Sequence, residues 1–562
     1  MLVFLLSVVM KLFLQLDASV CPEKCDCSLK NGIRCSGPHI KDLESLNLPC
    51  NVTEIHIMNT DVTYLQDVFS RMLELQHLIL TSNNISLISP VAFKGLSRLK
   101  VLTLLDNNLV ELPAEVFDDM ECLRQLIIES NRLKHIEENL FDRLVSLEEL
   151  FLNKNQLTAL PSGALKKLAK LKILNLSRNS LAALPRTIFS SLTRLQKLML
   201  YFNQLSSIES GLFDSLKELL ELFLHSNNIQ SIAPDAFHCL RKLRILTLSR
   251  NKLGLLPPGL FLHLPNLSKL TLYRNPLKSL PEVLFGEMRN LGSLWLYHTK
   301  LSTLPDFVFS NLTNLELLVL SFNPELSVLP KNNQMRSVSA GAFQGLGELL
   351  ELSLHSNALQ RLDAEAFCGL PKLQNISLQN NQLRALPQGL FGATPALRKV
   401  QLQVNVLEYL PAGVFAPLTA LQEVRLHNNS WHCNEKILAL KTWLEANQHK
   451  VGEIPPVCAL PLLLRGLPVT AEPESFTATS CPGTPLSARP SKPASTEKHP
   501  ALPGRWQAFG ILAGPWALSG RPTTGRPQIS IPGWKALYAI NSLTGHAAPA
   551  LSWLGFALIS LA

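Results

Sequence analysis

Leu171–Arg194 reads LKILNLSRNSLAALPRTIFSSLTR, and the stretches on either side of it follow the same plan. Leu171, Leu174, Leu176 and Leu181 are placed to face inward, and the alternation around Leu174 and Leu176 has the period of two that marks a strand. Asn179 follows the strand, where the chain must turn. An inward amide at that point can satisfy backbone groups of its own turn and of the next. Leaving it buried and unbonded would cost about 1–3 kcal/mol, so a fully bonded column of such amides is expected. The second half runs through Leu184-Pro185 to Phe189 and Leu192. Pro185 lacks an N–H and fixes φ, which suits an outer arm that is not sheet.

The asparagine returns at 83, 107, 131, 155, 179, 203, 227, 251 and 275 without a slip in spacing, and again at 323, 357, 381, 405 and 429. Around each the pattern is L-x-x-L-x-L-x-x-N-x-L, as in Leu147, Leu150, Leu152, Asn155 and Leu157. This resembles the leucine-rich repeat signature. One repeat cannot bury its own apolar edge, so repeats stack into a continuous core. The expected fold is a leucine-rich repeat solenoid of the α/β class, a curved right-handed horseshoe. It has a concave parallel β-sheet, an irregular or 3-10 convex side, and disulfide caps at both ends. A phenylalanine recurs at one place per turn, from Phe69 to Phe415, with Leu165 as the one replacement. Stacked rings there would widen the convex side and curve the solenoid.

Fifteen repeats can be counted, from Val52 to about Ala420. Thr299 stands where the column wants asparagine. The repeat that starts at Leu315 is longer than its neighbours, the next beginning only at Leu349, and it carries a polar insertion near Lys331–Ala340 (KNNQMRSVSA). Insertions in solenoids go to surface loops. This one reads as a flexible excursion; a binding loop and an artefact of the gene prediction stay open as alternatives.

Residues 1–20 are an apolar run ending in small residues, which reads as a secretory signal even though Lys11 interrupts it. Cys21-Pro-x-x-Cys25-x-Cys27-x7-Cys35 follows, within residues 21–51. In a secreted chain this cluster is a disulfide staple, whereas in cytosol it would suggest zinc. Resemblance to the N-terminal cap of extracellular leucine-rich repeat proteins implies the pairs Cys21–Cys27 and Cys25–Cys35. After repeats over 52–428, residues 429–481 resemble the C-terminal cap, with a helix expected over Lys436–Ala446. That resemblance implies Cys433–Cys458. Glu435 occupies the place of a second cysteine, which leaves Cys481 free or joined to another chain. Cys50, Cys122, Cys239 and Cys368 read as ordinary half-buried thiols. Residues 482–562 form a Pro/Ser/Thr-rich stalk and an apolar tail, Ala547–Ala562, shorter than the ~20 residues that span a bilayer. The sequence leaves membrane anchoring open.

N-glycosylation sequons agree with an extracellular destination. Asn51, Asn84, Asn266, Asn311 and Asn428 are the expected acceptors; Asn175 and Asn375 lie mid-strand, where a glycan would block the concave face. The 562 residues carry a net charge of +9, with 17% charged residues and no Lys/Arg stripe. That excludes a nucleic-acid binder and leaves anionic partners such as acidic protein segments or sulfated sugars. No G-x-S-x-G, H-E-x-x-H, P-loop or Cys/His nucleophile motif occurs, so neither an enzyme, a metal nor a cofactor is expected.

The concave face is the candidate site. Its central column reads Ile127, Phe151, Asn175, Met199, Phe223, Thr247, Thr271, Trp295 and Val319, and a parallel column holds Tyr201, His225, Tyr273 and Tyr297. Turns lie about 4.8 Å apart in such a sheet. Phe151, Met199 and Phe223 therefore form one apolar zone, with Trp295 and Tyr297 a second. Such patches mark a partner site with aromatic anchors, unless glycans or loops cover them.

Several stretches go further: Leu256-Pro-Pro-Gly-Leu-Phe-Leu-His-Leu264, Pro281–Leu296, Gly341–Leu349 and Ser231-Ile-Ala-Pro-Asp-Ala-Phe237. Together with Thr299 and Asn323-Pro-Glu-Leu, they resemble the leucine-rich repeat subunits of the platelet glycoprotein Ib-IX-V receptor, from about Cys21 to Val469. The resemblance implies a cell-surface subunit that joins the glycoprotein Ib and IX chains. It would act in adhesion dependent on von Willebrand factor and collagen, in haemostasis, and in the response to thrombin. The thrombin-sensitive bond does not carry over: Pro490 follows Arg489, and Arg505 is a weak match. The competing reading is the regulatory subunit of a secreted carboxypeptidase N, a solenoid that carries an enzyme.

Overall fold

A computed structural model describes residues 21–324, 326 and 341–471. The signal segment 1–20, the insertion 331–340, Cys481 and the tail 482–562 lie outside the described residues. From Val101 on, each turn contributes a three-residue strand to a sheet of 18 strands among the described residues. Glu149–Phe151, Ile173–Asn175 and Lys197–Met199 are typical. Pairing is parallel and in register, Leu150 beside Leu174 beside Leu198. It keeps that register across the long repeat, where Leu318 pairs with Leu352.

The sheet runs past the fifteen repeats at both ends. Gly32–Ser36 pairs parallel with Glu54–Met58, and Glu423–Arg425 closes the other end beside Lys399–Gln401. The N-terminal cap is thus built by continuing the sheet. Cys25–Asp26 folds back antiparallel on Gly32–Ser36, with Cys25 opposite Cys35.

Leucines of the strands and arms are buried throughout, Leu174, Leu176 and Leu181 at 0% exposure. The asparagine column forms the expected ladder. Asn179 Nδ2 donates to the carbonyls of Leu152 (3.0 Å) and Leu176 (3.1 Å), while its Oδ1 accepts from the Leu157 N–H (3.1 Å). Each amide thus ties two turns together. Thr299 repairs its gap differently: both its N–H and its hydroxyl donate to Asn323 Oδ1 at 2.6 Å. Thr60 begins the ladder in the same way on Asn83.

On the far side, successive phenylalanine rings stack at 6.1–6.4 Å between Phe189, Phe213, Phe237 and Phe261. Strands repeat at about 4.8 Å, so the outer row is longer by more than an ångström per turn. That wedge curves the solenoid. The arms are tight turns, such as Ala164 N–H to Pro161 O (3.1 Å) and Leu168 N–H to Leu165 O (3.2 Å). Two short parallel pairs interrupt them, Tyr64–Leu65 with Leu87–Ile88 and Ser207–Ile208 with Ser231–Ile232.

At the C-terminal end, Asn434 caps a 3-10 turn, Glu435–Ile437, by accepting from the Lys436 N–H at 3.0 Å. The helix proper, Leu438–Ala446, starts two residues later than the sequence suggests and buries Leu440 and Leu444. Trp431 is fully buried and donates from Nε1 to Leu426 O (3.1 Å), closing the apolar end of the solenoid. Disulfides join Cys21–Cys27, Cys25–Cys35 and Cys433–Cys458. The other thiols correct the half-buried expectation: Cys50, Cys122 and Cys368 are exposed, and only Cys239 is intermediate. Cys122 and Cys368 fall between the inward Met120 and Leu123, and Phe367 and Leu370, where the arm faces solvent. Among the described residues no helix is long and apolar enough to cross a membrane.

Candidate functional site: the concave aromatic face

The register fixes the central column. Phe151 pairs with Asn175, Asn175 with Met199, and Met199 with Phe223. Further along, Phe223 lies beside Thr247, Thr271 beside Trp295, and Trp295 beside Val319. All seven named anchors, Phe151, Met199, Tyr201, Phe223, Tyr273, Trp295 and Tyr297, are half-buried. Five of them, Tyr201, Phe223, Tyr273, Trp295 and Tyr297, gather into two groups of ring contacts.

In the first group Tyr201 stacks on His225, centroids 4.7 Å apart and planes 6° off parallel, and Phe223 meets His225 edge-on at 6.4 Å. Phe202 adds an edge contact to Tyr201 (6.0 Å), and the Arg178 guanidinium sits over its ring at 4.9 Å. The Lys197 ammonium lies over Phe223 at 5.4 Å and pairs with Glu221 at 2.8 Å. Phe151 stands apart from this group. Asn175 comes between it and Met199, buried and accepting from Ser177 N–H (3.1 Å) and hydroxyl (2.7 Å).

The second group is longer. Tyr273 stacks on Tyr297 at 4.5 Å, and Trp295 meets Tyr297 edge-on at 6.3 Å. The row continues through His298, stacked on Phe322 at 4.6 Å, to His355, which meets Phe322 edge-on at 4.9 Å. Between the groups lie Thr247, Ser249 and Thr271, with the Thr271 hydroxyl 3.3 Å from that of Ser249.

Phe202, His298 and Phe322 are the site residues that strand alternation does not reveal. Each immediately precedes the ladder position and has a positive φ, 52°, 52° and 56°. Left-handed backbone costs a non-glycine residue roughly 1–2 kcal/mol. Here it recurs in almost every turn, as at Arg178, Arg250 and Arg274, so it belongs to the scaffold and not to the site. It does turn the side chain to the rim: Phe202 is 42% and Phe322 41% exposed. An aromatic directly before the ladder residue is the signal that finds them.

The rings are held neutral. Burial, with the charges of Arg250 and Lys269 behind it, lowers His225 to about 4. Burial also lowers His298 and His355, and raises Tyr297 with help from Tyr273. At physiological pH the two groups are therefore uncharged, amphipathic rings beside an edge of exposed Arg178, Arg250 and Arg274. Such a surface can take the apolar side chains of a protein segment with acidic residues beside them.

The sequon asparagines differ in exposure. Asn51, Asn84, Asn266, Asn311 and Asn428 are exposed, whereas Asn175 is 7% exposed with its amide oxygen bonded. Asn266 and Asn311 donate to the carbonyls of Arg241 (2.8 Å) and Phe285 (3.0 Å), bonds a glycan linkage at Nδ2 would have to share or replace.

Comparisons with known proteins agree with this architecture. The family profile described as "Leucine rich repeat" matches residues 50–109, 97–157, 146–205, 193–253, 241–301, 328–383 and 371–430. The chain is 42% identical over 97 residues to platelet glycoprotein V of Mus musculus, a stretch covering 17% of this chain and 17% of that relative. Among solved structures it resembles a leucine-rich repeat protein of Leptospira interrogans, at 27% identity and TM-score 0.52, covering 73% of this chain and 98% of the other. It also resembles the Drosophila Toll–Spatzle complex at 24% identity and TM-score 0.63, covering 76% of this chain and 61% of that one. The latter likeness is one of fold alone.

Proposed function

We propose that this chain, which belongs to the leucine-rich repeat family, is a non-enzymatic extracellular recognition subunit that holds a protein partner on its concave sheet. The observation that carries this reading is the pair of half-exposed aromatic groups in one sheet face, Tyr201/Phe202/Phe223/His225 and Tyr273/Trp295/Tyr297, flanked by arginines. Aromatic side chains immobilise little entropy for the area they cover, and binding energy concentrates on such anchors. Disulfides at both ends support a cell-surface or secreted location.

The finer reading is an adhesion-receptor subunit resembling platelet glycoprotein V. It would assemble with glycoprotein Ib and IX chains and serve von Willebrand factor- and collagen-dependent platelet adhesion, haemostasis and the thrombin response. Its support is the order of irregular repeats and the 42% identity to the mouse protein over 97 residues. Affinity purification with mass spectrometry, run in parallel from blood-cell membranes and from plasma, tests it. Recovery with glycoprotein Ib and IX chains from membranes supports the receptor subunit. Recovery from plasma with a carboxypeptidase overturns it and makes the solenoid an enzyme carrier.

A further inference from the structure

On the convex side, the residue after each spine phenylalanine forms a column in which neighbours one turn apart meet. Asp142 follows Phe141, Lys166 follows Leu165, and the two form an ion pair at 3.1 Å. Three turns further on the same column brings Asp214 against His238, with Cys239 next in the chain. Among the described residues no lysine forms an ion pair with this carboxylate. Instead one ligand atom each from Asp214, His238 and Cys239 lies within 4.8 Å of the other two.

Several details suit this cluster to a metal ion. His238 Nδ1 lies 2.6 Å from the Asp235 carbonyl oxygen. A carbonyl only accepts, so Nδ1 carries the proton and the Nε2 lone pair is left for a ligand. Anchoring one ring nitrogen on a backbone carbonyl is how metal-binding histidines are oriented. Nε2 sits 3.4 Å from Cys239 Sγ, about the edge of a tetrahedron built from bonds of ~2.0 Å to nitrogen and ~2.3 Å to sulfur. Asp214 Oδ1 is buried and accepts from no donor among the described residues, which leaves that oxygen free to meet a cation. His238 is exposed, so an ion has a route in.

We propose that Asp214, His238 and Cys239 form a Zn2+ site that clips two consecutive turns on the convex face, with an open fourth position for water or a donor from another molecule. The S/N/O donor set suits zinc over calcium or magnesium, which take oxygen ligands. On binding, the Cys239 S–H proton passes to solvent, the thiolate and Nε2 donate to the ion, and the Asp214 carboxylate supplies the third bond. Nothing is oxidised or reduced. The sequence hides the site, because Asp214 lies in one repeat and His238 and Cys239 in the next, and only the stacking of turns brings them together.

The test is titration of the chelator-stripped, full-length chain with ZnCl2 against a chromophoric competitor. Cys239→Ser and His238→Ala serve as variants and Cys368→Ser as the control thiol. Circular dichroism checks that each variant folds. Peptide-level alkylation of Cys239 with iodoacetamide, with and without Zn2+, gives a readout tied to that sulfur. We expect one tight site, weakened ~100-fold or more in both variants and unchanged in the control. Zn2+ should also protect Cys239 from alkylation in the wild type but not in His238→Ala. Equal affinity in wild type and both variants, or alkylation of Cys239 indifferent to Zn2+, overturns the site.

Discussion

Replacing Asn179 by alanine removes one rung of the ladder, and the structure says what is lost. The Leu157 N–H, whose acceptor is Asn179 Oδ1 at 3.1 Å, is left buried without one. Leu152 O loses the Nδ2 donor at 3.0 Å but keeps that of Asn155 at 3.1 Å, and Leu176 O keeps that of Asn203 at 3.0 Å. The carbonyls are thus backed up, and the N–H is the orphan. One unsatisfied buried donor costs about 1–3 kcal/mol, and the lost amide bonds add about 1 more, giving roughly 2–4 kcal/mol. Asn179→Asp should cost more, since it accepts from Leu157 but turns a carboxylate toward three carbonyl oxygens at 3.0–3.3 Å. Arg178→Ala, at the exposed neighbour, should stay within about 0.5 kcal/mol. Denaturant unfolding gives the sum. Hydrogen exchange gives the place, because a solenoid couples mainly to its nearest turns: the Leu157 amide should lose protection while those beyond Leu222 keep theirs. An alanine variant no less stable than Arg178→Ala, with Leu157 still protected, would refute the ladder argument.

Removing both Cys433 and Cys458 frees a closed loop with sequence separation 25, which should cost about 3–4 kcal/mol by loop entropy, measured as a lower unfolding midpoint for the C-terminal cap. His225, lowered to about 4, binds its proton in the unfolded chain first. Above pH ~6.5 it should contribute no pH dependence, and stability should fall as pH drops from ~6.5 toward 4; His225→Gln should flatten that slope, and an NMR titration showing His225 charged at pH 6 would contradict the burial. Glycopeptide mass spectrometry should find sugar on the exposed sequons Asn51 and Asn428 and none on Asn175, whose amide oxygen already serves Ser177; occupancy at Asn175 would mean that strand is not closed as described.

Most of the fold is legible from the single stretch Leu171–Arg194 because a repeat states the same physics many times. Period two gives the strand, one asparagine the turn, and one phenylalanine the wedge. The register of the central column follows directly, and it puts Phe223 and Trp295 on one face. What the alternation misses is what lies off it. Phe202, His298 and Phe322 reach the site through left-handed backbone beside the ladder, where period two no longer applies. The Asp214–His238–Cys239 cluster is legible only once two turns are laid side by side. The apolar zone first drawn as Phe151, Met199 and Phe223 is divided, because Asn175 turns its amide onto Ser177 between them. The extra strand Gly32–Ser36 at the N-terminal end is hidden because it lacks the leucine spacing while keeping the alternation, whereas Glu423–Arg425 carries the spacing of the Asn429 repeat.

The proposed function puts a protein partner on the concave aromatic face. Surface plasmon resonance of the purified chain against the partner recovered by affinity purification tests it most directly, with Phe223→Ala, Trp295→Ala and the exposed convex-arm control Leu255→Ala. Each concave variant should fold and bind at least ~30-fold more weakly, about 2 kcal/mol, while Leu255→Ala should bind as wild type does. Unchanged affinity in both concave variants, or an equal loss in Leu255→Ala, would contradict it.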